Sequence, residues 1–399
     1  MTTKDFTANV ISASKVAPDG NFKTSKASGV WDINEALDLI KGGNWPNAAN
    51  IDPASFVDAV FQTHLYIGAG GTTVTVDNGI DLLNKGGLVW IKARNATEDH
   101  GLFDTVRGVT KYISSNNVNA EATNSGTLTN FYDNGFKVDG NGIVGSSTDP
   151  YVSWTFRKQP KFFDVVTYTG TGSARTVSHN LGSVPGMIIV KGTDSTDDWV
   201  VYHRSMDSSA PEDYRMIMND TTARVNAPRW NDTAPTATQF SVDSDTSVNG
   251  NGSNYVAYLF AHNNNDGGFG EPGDQDIIKC DSYTGNGSST GPSVNLGFEP
   301  QFVMIKNASS TQNWWVLDNM RGIVNGGTDI RLKWNTTDSE DSTGDVISLT
   351  PTGFDVTTSS SSTNTNGDTY IYMAIRRGGM QTPSTPSDVF AINTTGTND

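Results

Sequence analysis

The sequence predicts an all-β fold: three tandem antiparallel β-sandwich or jelly-roll-like repeats behind an N-terminal segment that contains one short helix. The first observation behind this expectation is repetition. Tyr66-Ile-Gly68-Ala-Gly70 leads to Val89-Trp90-Ile91-Lys92, Tyr168-Thr-Gly170-Thr-Gly172 leads to Ile188-Ile189-Val190-Lys191, and Tyr283-Thr-Gly285-Asn-Gly287 leads to Val303-Met304-Ile305-Lys306. The shift of 115 positions from Tyr168 to Tyr283 also relates Asn180-Leu-Gly182 to Asn295-Leu-Gly297, Pro185 to Pro300, Trp199 to Trp314 and Tyr255 to Tyr370. A repeat this long is a folded module, not a solenoid turn. The second observation is composition: hydrophobic residues are 35% of the 399, and 41 glycines stand among many Ser, Thr, Asn and Asp, as expected where short strands alternate with turns. The third is the strand pattern inside each repeat.

In chain order, residues 1–55 form a docking segment. Ile33, Leu37 and Ile40 share a helical face, Asp32 and Glu35 are placed as a capping pair, and Gly42-Gly43 stops the helix. Trp31, Trp45 and Pro46 are the assembly candidates here, with Pro46 holding its neighbourhood extended, although a Trp covering a domain edge explains Trp45 as well. The repeats occupy 56–160, 161–265 and 276–378. Within them, Val184–Lys191 and Glu299–Lys306 are apolar runs launched by a proline, as in strands buried on both faces. Gln239–Val242 and Thr352–Val356 alternate apolar and polar, as in half-buried strands. Tyr151–Lys158, Tyr255–Ala261 and Tyr370–Arg377 close the repeats. Residues 379–399, rich in Pro, Thr, Ser and Gly, read as an extended tether.

A formal charge of −16 argues against nucleic acid or an anionic membrane surface as the main partner. No apolar run reaches membrane-spanning length and no signal-peptide core follows Met1, so a soluble protein without membrane insertion is expected. Cys280 is the single cysteine, which leaves the chain without an intrachain disulfide. His64, His100, His179, His203 and His262 lack metal-ligand spacing, so no metal site is expected. Around Asp194, Asp243 and Asp338, acidic loops offer oxygen ligands for calcium, but a solvated loop is the simpler account, and no cofactor is expected. Asp104 with Arg107 and Asp318 with Arg321 recur in two copies; a turn tied by an ion pair accounts for them without catalysis, and the second copy, Tyr202-His203-Arg204, breaks the pattern.

Exposed aromatic rings beside Asp and Asn suit sugar binding. Trp230 and Trp315 lie outside the shared pattern and are the better exposed candidates. Trp199, with Asp198 beside it, and Trp314 occupy equivalent positions, which suits a core role as well as a glycan site.

The string Leu88-Val-Trp90-Ile-Lys92, His100-Gly-Leu-Phe-Asp104-Thr-Val-Arg107-Gly108, Tyr112-Ile-Ser-Ser-Asn116, Asn134-Gly-Phe136, Tyr151-Val-Ser-Trp154-Thr-Phe156-Arg157 and Phe162–Gly170 resembles structural proteins of tailed bacteriophages, especially marine ones. Lys26-Ala-Ser-Gly29-Val-Trp31 followed by Asn44-Trp45-Pro46 is similar to the starts of phage tail or fibre proteins. The resemblance covers residues 24 to 390. It implies a virion component, a tail fibre or other appendage, whose repeats look distantly like concanavalin-type lectin sandwiches; with no catalytic set among the residues, a non-enzymatic role is expected. Implied partners are other virion proteins, further copies of the chain, three being usual in such fibres, and host surface polysaccharide. Assembly in the host cytoplasm with release by lysis fits the lack of a leader and of disulfides. The alternatives are a capsid decoration or tail-hub adaptor, and a glycan-degrading tail enzyme, for which no pair of carboxylates stands out.

Overall fold

The computed structural model describes residues 56–270 and 275–378. The helix expected over 33–40, Trp31, Trp45, Pro46 and the tether at 379–399 lie outside the described residues.

The regular structure of the described chain is almost all strand, joined by turns and loops. The first module holds β1 (Phe61–Ile67), β2 (Val74–Asp77), β3 (Gly87–Ala93), β4 (Gly101–Asp104), β5 (Lys111–Tyr112), β6 (Ala122–Thr123), β7 (Leu128–Tyr132), β8 (Gly135–Val138) and β9 (Pro150–Arg157). The second holds β10 (Phe163–Thr169), β11 (Arg175–Ser178), β12 (Pro185–Gly192), β13 (Val200–His203), β14 (Tyr214–Ile217), β15 (Val225–Asn226), β16 (Gln239–Val242) and β17 (Asn254–Ala261). The third holds β18 (Ile278–Thr284), β19 (Ser293–Asn295), β20 (Pro300–Asn307), β21 (Trp315–Asp318), β22 (Arg331–Lys333), β23 (Ile347–Thr350), β24 (Gly353–Val356) and β25 (Thr369–Arg376).

Each module is a sandwich of a main sheet and a smaller outer sheet. The main sheets run β1-β9-β3-β4, β10-β17-β12-β13-β14-β15 and β18-β25-β20-β21-β22, all antiparallel; the outer sheets are β2-β8-β7, β11-β16 and β19-β24-β23. Every residue of β3, β12 and β20 is buried, which requires cover on both faces of the main sheet. Period-2 alternation sorts the cover. In the first module Val89, Ile91 and Ala93 join Val76, Phe136 and Val138 beneath the outer sheet, while Leu88, Trp90, Leu102, Val152, Trp154 and Phe156 belong to a core common to all three modules. The third module divides likewise, with Val303 and Ile305 under its own outer sheet and Phe302 and Met304 in the common core.

That common core converts a tandem array into a closed ring. At its centre, three cross-strand rows of equivalent residues meet: Phe61, Phe156 and Leu88 from the first module, Phe163, Phe260 and Met187 from the second, Ile278, Ile375 and Phe302 from the third. Phe156 lies 5.3 Å from Phe260 and 6.3 Å from Phe302, centroid to centroid, so its ring touches both neighbouring modules. In β12 and β20 a register shift after the opening proline brings Met187 and Phe302 into the rows. The proline has no N–H to offer a ladder, which makes the strand start the place where an irregularity costs least.

Backbone pairing closes the ring a second time. Glu121 donates its N–H to Thr193 O at 2.8 Å, Arg224 to Ala308 O at 3.0 Å, and Glu340 to Arg94 O at 2.8 Å. These bonds join first to second, second to third and third to first module at equivalent positions.

The Tyr-x-Gly-x-Gly motif marks the far end of each module. Tyr66 stacks on Tyr151, Tyr168 on Tyr255 and Tyr283 on Tyr370 at 5.1 to 5.3 Å. Their hydroxyls reach loop carbonyls, for example Tyr66 to Val144 O at 2.8 Å and Tyr283 to Thr363 O at 2.7 Å. A Cβ at Gly68, Gly170 or Gly285 would run into a carbonyl of the facing loop (Ser146, Gly250 and Thr365), so backbone approach dictates glycine there.

Truncating Phe156 to Ala removes a ring shared by three modules. Chemical denaturation should show a loss of about 3–5 kcal/mol, well above that of Leu349→Ala in the partly exposed rim of one outer sheet.

Candidate functional site

The groups that sequence reasoning marks for chemistry are gathered at the junctions between modules. Asp104 ends β4 and is buried; its carboxylate accepts the backbone N–H of Val106 at 3.1 Å and of Arg107 at 2.9 Å, the Arg107 guanidinium, and the Tyr258 hydroxyl of the second module at 2.8 Å. Asp318 ends β21 in the same way. It accepts from Arg321 N at 2.9 Å and Nε at 2.6 Å, and from Trp154 Nε1 of the first module at 3.0 Å. At the equivalent position in the second module, His203 Nε2 donates to Tyr372 O of the third at 3.1 Å while Nδ1 accepts from Ser205 N. One side chain in each module thus tethers a neighbouring module. These carboxylates carry a full set of partners and no open face for a substrate, so the Asp-Arg recurrence is a load on the fold.

A second set of tethers uses aromatic rings at another equivalent position. His100 Nε2 donates to Lys333 O at 3.0 Å, Trp199 Nε1 to Ser114 O at 3.0 Å, and Trp314 Nε1 to Ile217 O at 2.9 Å, each across a junction. His100 Nδ1 accepts from Trp90 Nε1 at 2.9 Å, which fixes its tautomer. Trp90 in turn stacks on Trp334 of the third module at 4.2 Å. Burial holds His100 and His203 down to about 3, where an ordinary imidazole titrates near 6.5.

Lys92, Lys191 and Lys306 end the same strand run in each module with buried side chains. Lys191 Nζ reaches Gly192 O at 2.8 Å, Ser195 O at 3.1 Å and, across the junction, Val118 O at 3.2 Å; Lys306 reaches Gln312 O at 2.7 Å and Thr221 O of the second module at 2.8 Å. Burial lowers these ammonium groups to about 8, about 8 and about 7. Carbonyl cages enclose them, which assigns them to loop closure rather than nucleophilic work.

The tryptophans expected as sugar platforms are placed otherwise. Trp230 is 1% exposed; it donates to Tyr214 O at 3.0 Å and sits edge-on to Tyr202. Trp315 is 6% exposed, with Arg331 at 4.4 Å and Lys333 at 5.2 Å from its ring centroid. The expectation of exposed rings at these two positions is therefore corrected: Trp230 packs on Tyr202, Tyr214 and Phe240 of β13, β14 and β16, and Trp315 is covered by Arg331 and Lys333 of β22, which position outside the repeat pattern does not reveal. Trp199 and Trp314 are fully buried in the junctions. Asp198 accepts from Asn219 Nδ2 at 3.0 Å and so shapes the loop before β13. The acidic loops also take protein partners, Asp245 with Arg229 at 2.8 Å and Asp338 with Lys333 at 2.7 Å. Among the described residues no group of three or more His, Cys, Asp or Glu is placed to hold a metal ion. Cys280 is buried, and burial pushes its thiol up.

Sequence reasoning missed the open space. Between the first and second modules lies a cleft of about 580 Å³, lined by residues that include Lys111, Glu121, Thr169, Asp194 and Asn254. A second of about 550 Å³ lies within the third module beside Met320, Ile323 and Arg377. The first is not legible before the modules are placed against one another, and the second depends on loops and strands of the third module brought together from far apart in the chain.

The family described as Domain of unknown function (DUF7483) matches residues 57–377, and the chain belongs to it. No curated protein matches. Among solved structures, the crystal structure of the STIV MCP is similar at 10% identity over 54% of this chain and 95% of that chain, with a TM-score of 0.18, a likeness too remote to bear on fold or role.

Two outcomes test the junctions. Asp318→Asn leaves the buried Arg321 cation with Glu340, at 3.6 Å, as its remaining carboxylate partner and should cost about 3–5 kcal/mol in denaturant unfolding, whereas D318L with R321M removes the buried charge but orphans the Trp154 indole N–H and should recover only part of the loss. Acidification should destabilise: between about 6.5, the unfolded histidine value, and about 3, the folded one, the unfolded chain binds the extra protons. The histidine contribution is complete above pH 6.5 and falls with decreasing pH by up to about 1.4 kcal/mol per pH unit per residue. His203→Gln should flatten that slope in thermal melts between pH 4.5 and 6.5.

Proposed function

We propose that the chain is a non-enzymatic structural component of a tailed-phage virion, an appendage head of tail-fibre type that is anchored at one end and presents loops for host-surface attachment at the other. The observation that carries this reading is polarity. The start of β1, the links from β9 to β10 and from β17 to β18, and the end of β25 all lie at the end of the sheets where Phe61, Phe156 and their equivalents meet. Both described ends of the chain therefore leave from one pole. The opposite pole carries three glycine-cornered loop pairs, each fixed by a stacked tyrosine pair.

A body of this kind suits presentation. Its polar recurrences are consumed in tethering modules, and its loops are where the three copies differ. The resemblance of residues 24 to 390 to phage structural proteins supplies the virion context. In this reading the partners are other virion proteins, further copies of the chain, and host surface polysaccharide; no cofactor is required. The protein is assembled in the host cytoplasm and works outside the cell.

Cryo-imaging of intact particles with an antibody fragment against the chain tests the assignment. Density on a tail appendage, together with competition by the purified protein for phage adsorption, is the expected outcome. Density on the capsid or at the tail hub would replace attachment by a decoration or adaptor role, and release of reducing ends from host polysaccharide would overturn the non-enzymatic reading.

A further inference from the structure

We infer that the cleft between the first and second modules is a binding site for a neutral saccharide, present once per chain. This deepens the attachment reading and rests on it for the source of the ligand.

The cleft straddles the backbone bond from Glu121 to Thr193, so its two walls belong to different modules and its shape is set by ring closure. On one wall, Glu121 is held by Arg107 Nη1 at 3.2 Å and by Lys111 Nζ at 3.4 Å. On the other, Asp194 Oδ2 accepts both the N–H of Asn254 at 2.9 Å and its Nδ2 at 3.0 Å, and Thr169 Oγ1 donates to Asn254 Oδ1 at 3.0 Å. Thr169, Asp194 and Asn254 are exposed. Donors and acceptors thus alternate along a surface that bears both signs of charge, as the successive hydroxyls of a sugar require. A small anion would face two carboxylates, and a bulky apolar ligand finds little surface to bury. The volume is within the usual range for small-ligand clefts of about 300–1,000 Å³.

Comparison of the three junctions explains why one site is assigned rather than three. The strand-end pair Thr169 and Asn254 is replaced by Thr284 and Thr369 at the junction of second and third modules, and by Ile67 and Pro150 at the junction of third and first. There Arg94 also closes onto Glu340 at 2.7 Å. At the remaining junction the cation Arg224 lies over the Tyr214 ring at 5.3 Å. The other strand ends are wired differently, Asp368 taking Asn307 Nδ2 at 2.8 Å and Ser310 Oγ at 2.7 Å in the third module and Asp149 taking Asn95 Nδ2 at 3.1 Å in the first; the arrangement of Asp194, Asn254 and Thr169 facing Glu121 and Lys111 occurs at one junction.

The test is calorimetric titration of the full chain with a panel of neutral hexoses, N-acetylhexosamines and their disaccharides, with inorganic phosphate and a uronic acid as charged probes. At least one neutral saccharide should bind with a stoichiometry of one. Asn254→Ala and Lys111→Ala should each weaken it at least tenfold with unchanged melting temperature, while Thr369→Ala, at the equivalent place in the third module, should leave it unaltered. Binding that survives both cleft variants, a stoichiometry of three, preference for the charged probes, or failure of every neutral saccharide would overturn the site. Particle imaging is independent of these outcomes: an appendage location with no effect of the cleft variants rejects the cleft alone, and saccharide binding by a protein absent from the particle rejects the virion reading alone.

Discussion

The whole structure depends on the second face of each main sheet. One face is covered within the module by the small outer sheet, and the other carries Leu88, Trp90, Trp154 and Phe156 or their equivalents with nothing of the same module to cover them. Each such side chain gains roughly 1.5–3 kcal/mol when removed from water. A module alone would leave that surface wet. Three copies in one chain solve the problem by facing one another, and the Phe-rich rows at the centre are the contact that makes this possible.

Placing sheet faces against each other also buries whatever polar groups lie on them, and an unpaired buried polar group is costly. The junction chemistry follows from this constraint. Asp104, His203 and Asp318 occupy one position in three modules, and each is paired across a junction with a different partner, the Tyr258 hydroxyl, the Tyr372 carbonyl and the Trp154 indole. His100, Trp199 and Trp314 do the same at a second position. Drift between the copies is tolerated because the requirement is pairing, not a particular residue. Reactive-looking groups are consequently spent on cohesion, and open polar surface is left to the loops and the junction edges.

The ring gives the modules unequal environments although their folds match. Equivalent loops meet different neighbours, so substitutions at a junction edge accumulate independently in each copy. Glu121 with Lys111, Arg224 over Tyr214, and Glu340 with Arg94 are three outcomes at one structural position. A repeat that unifies the interior thereby leaves three chemically distinct surfaces at the junction edges.

Fold class, repeat period and most strands were legible in the sequence, because side-chain alternation, proline-launched apolar runs and glycine turns are local signals. The double-sided burial of Val184–Lys191 and Glu299–Lys306 was legible too, since a strand without alternation needs cover on both faces. What covers the second face was not: nothing local distinguishes an array from a closed ring, because the partners of Phe156 lie in other modules. The same limit applies to Trp230 and Trp315, whose burial depends on Tyr202 and Tyr214 or on Arg331 and Lys333 folding back over them. The cleft at Lys111 and Asn254 exists only where two modules meet. The sequence by itself determined the module, through short-range periodicity; the tertiary structure alone decided which groups are tethers and which remain open, because that depends on faces brought together from a hundred residues apart.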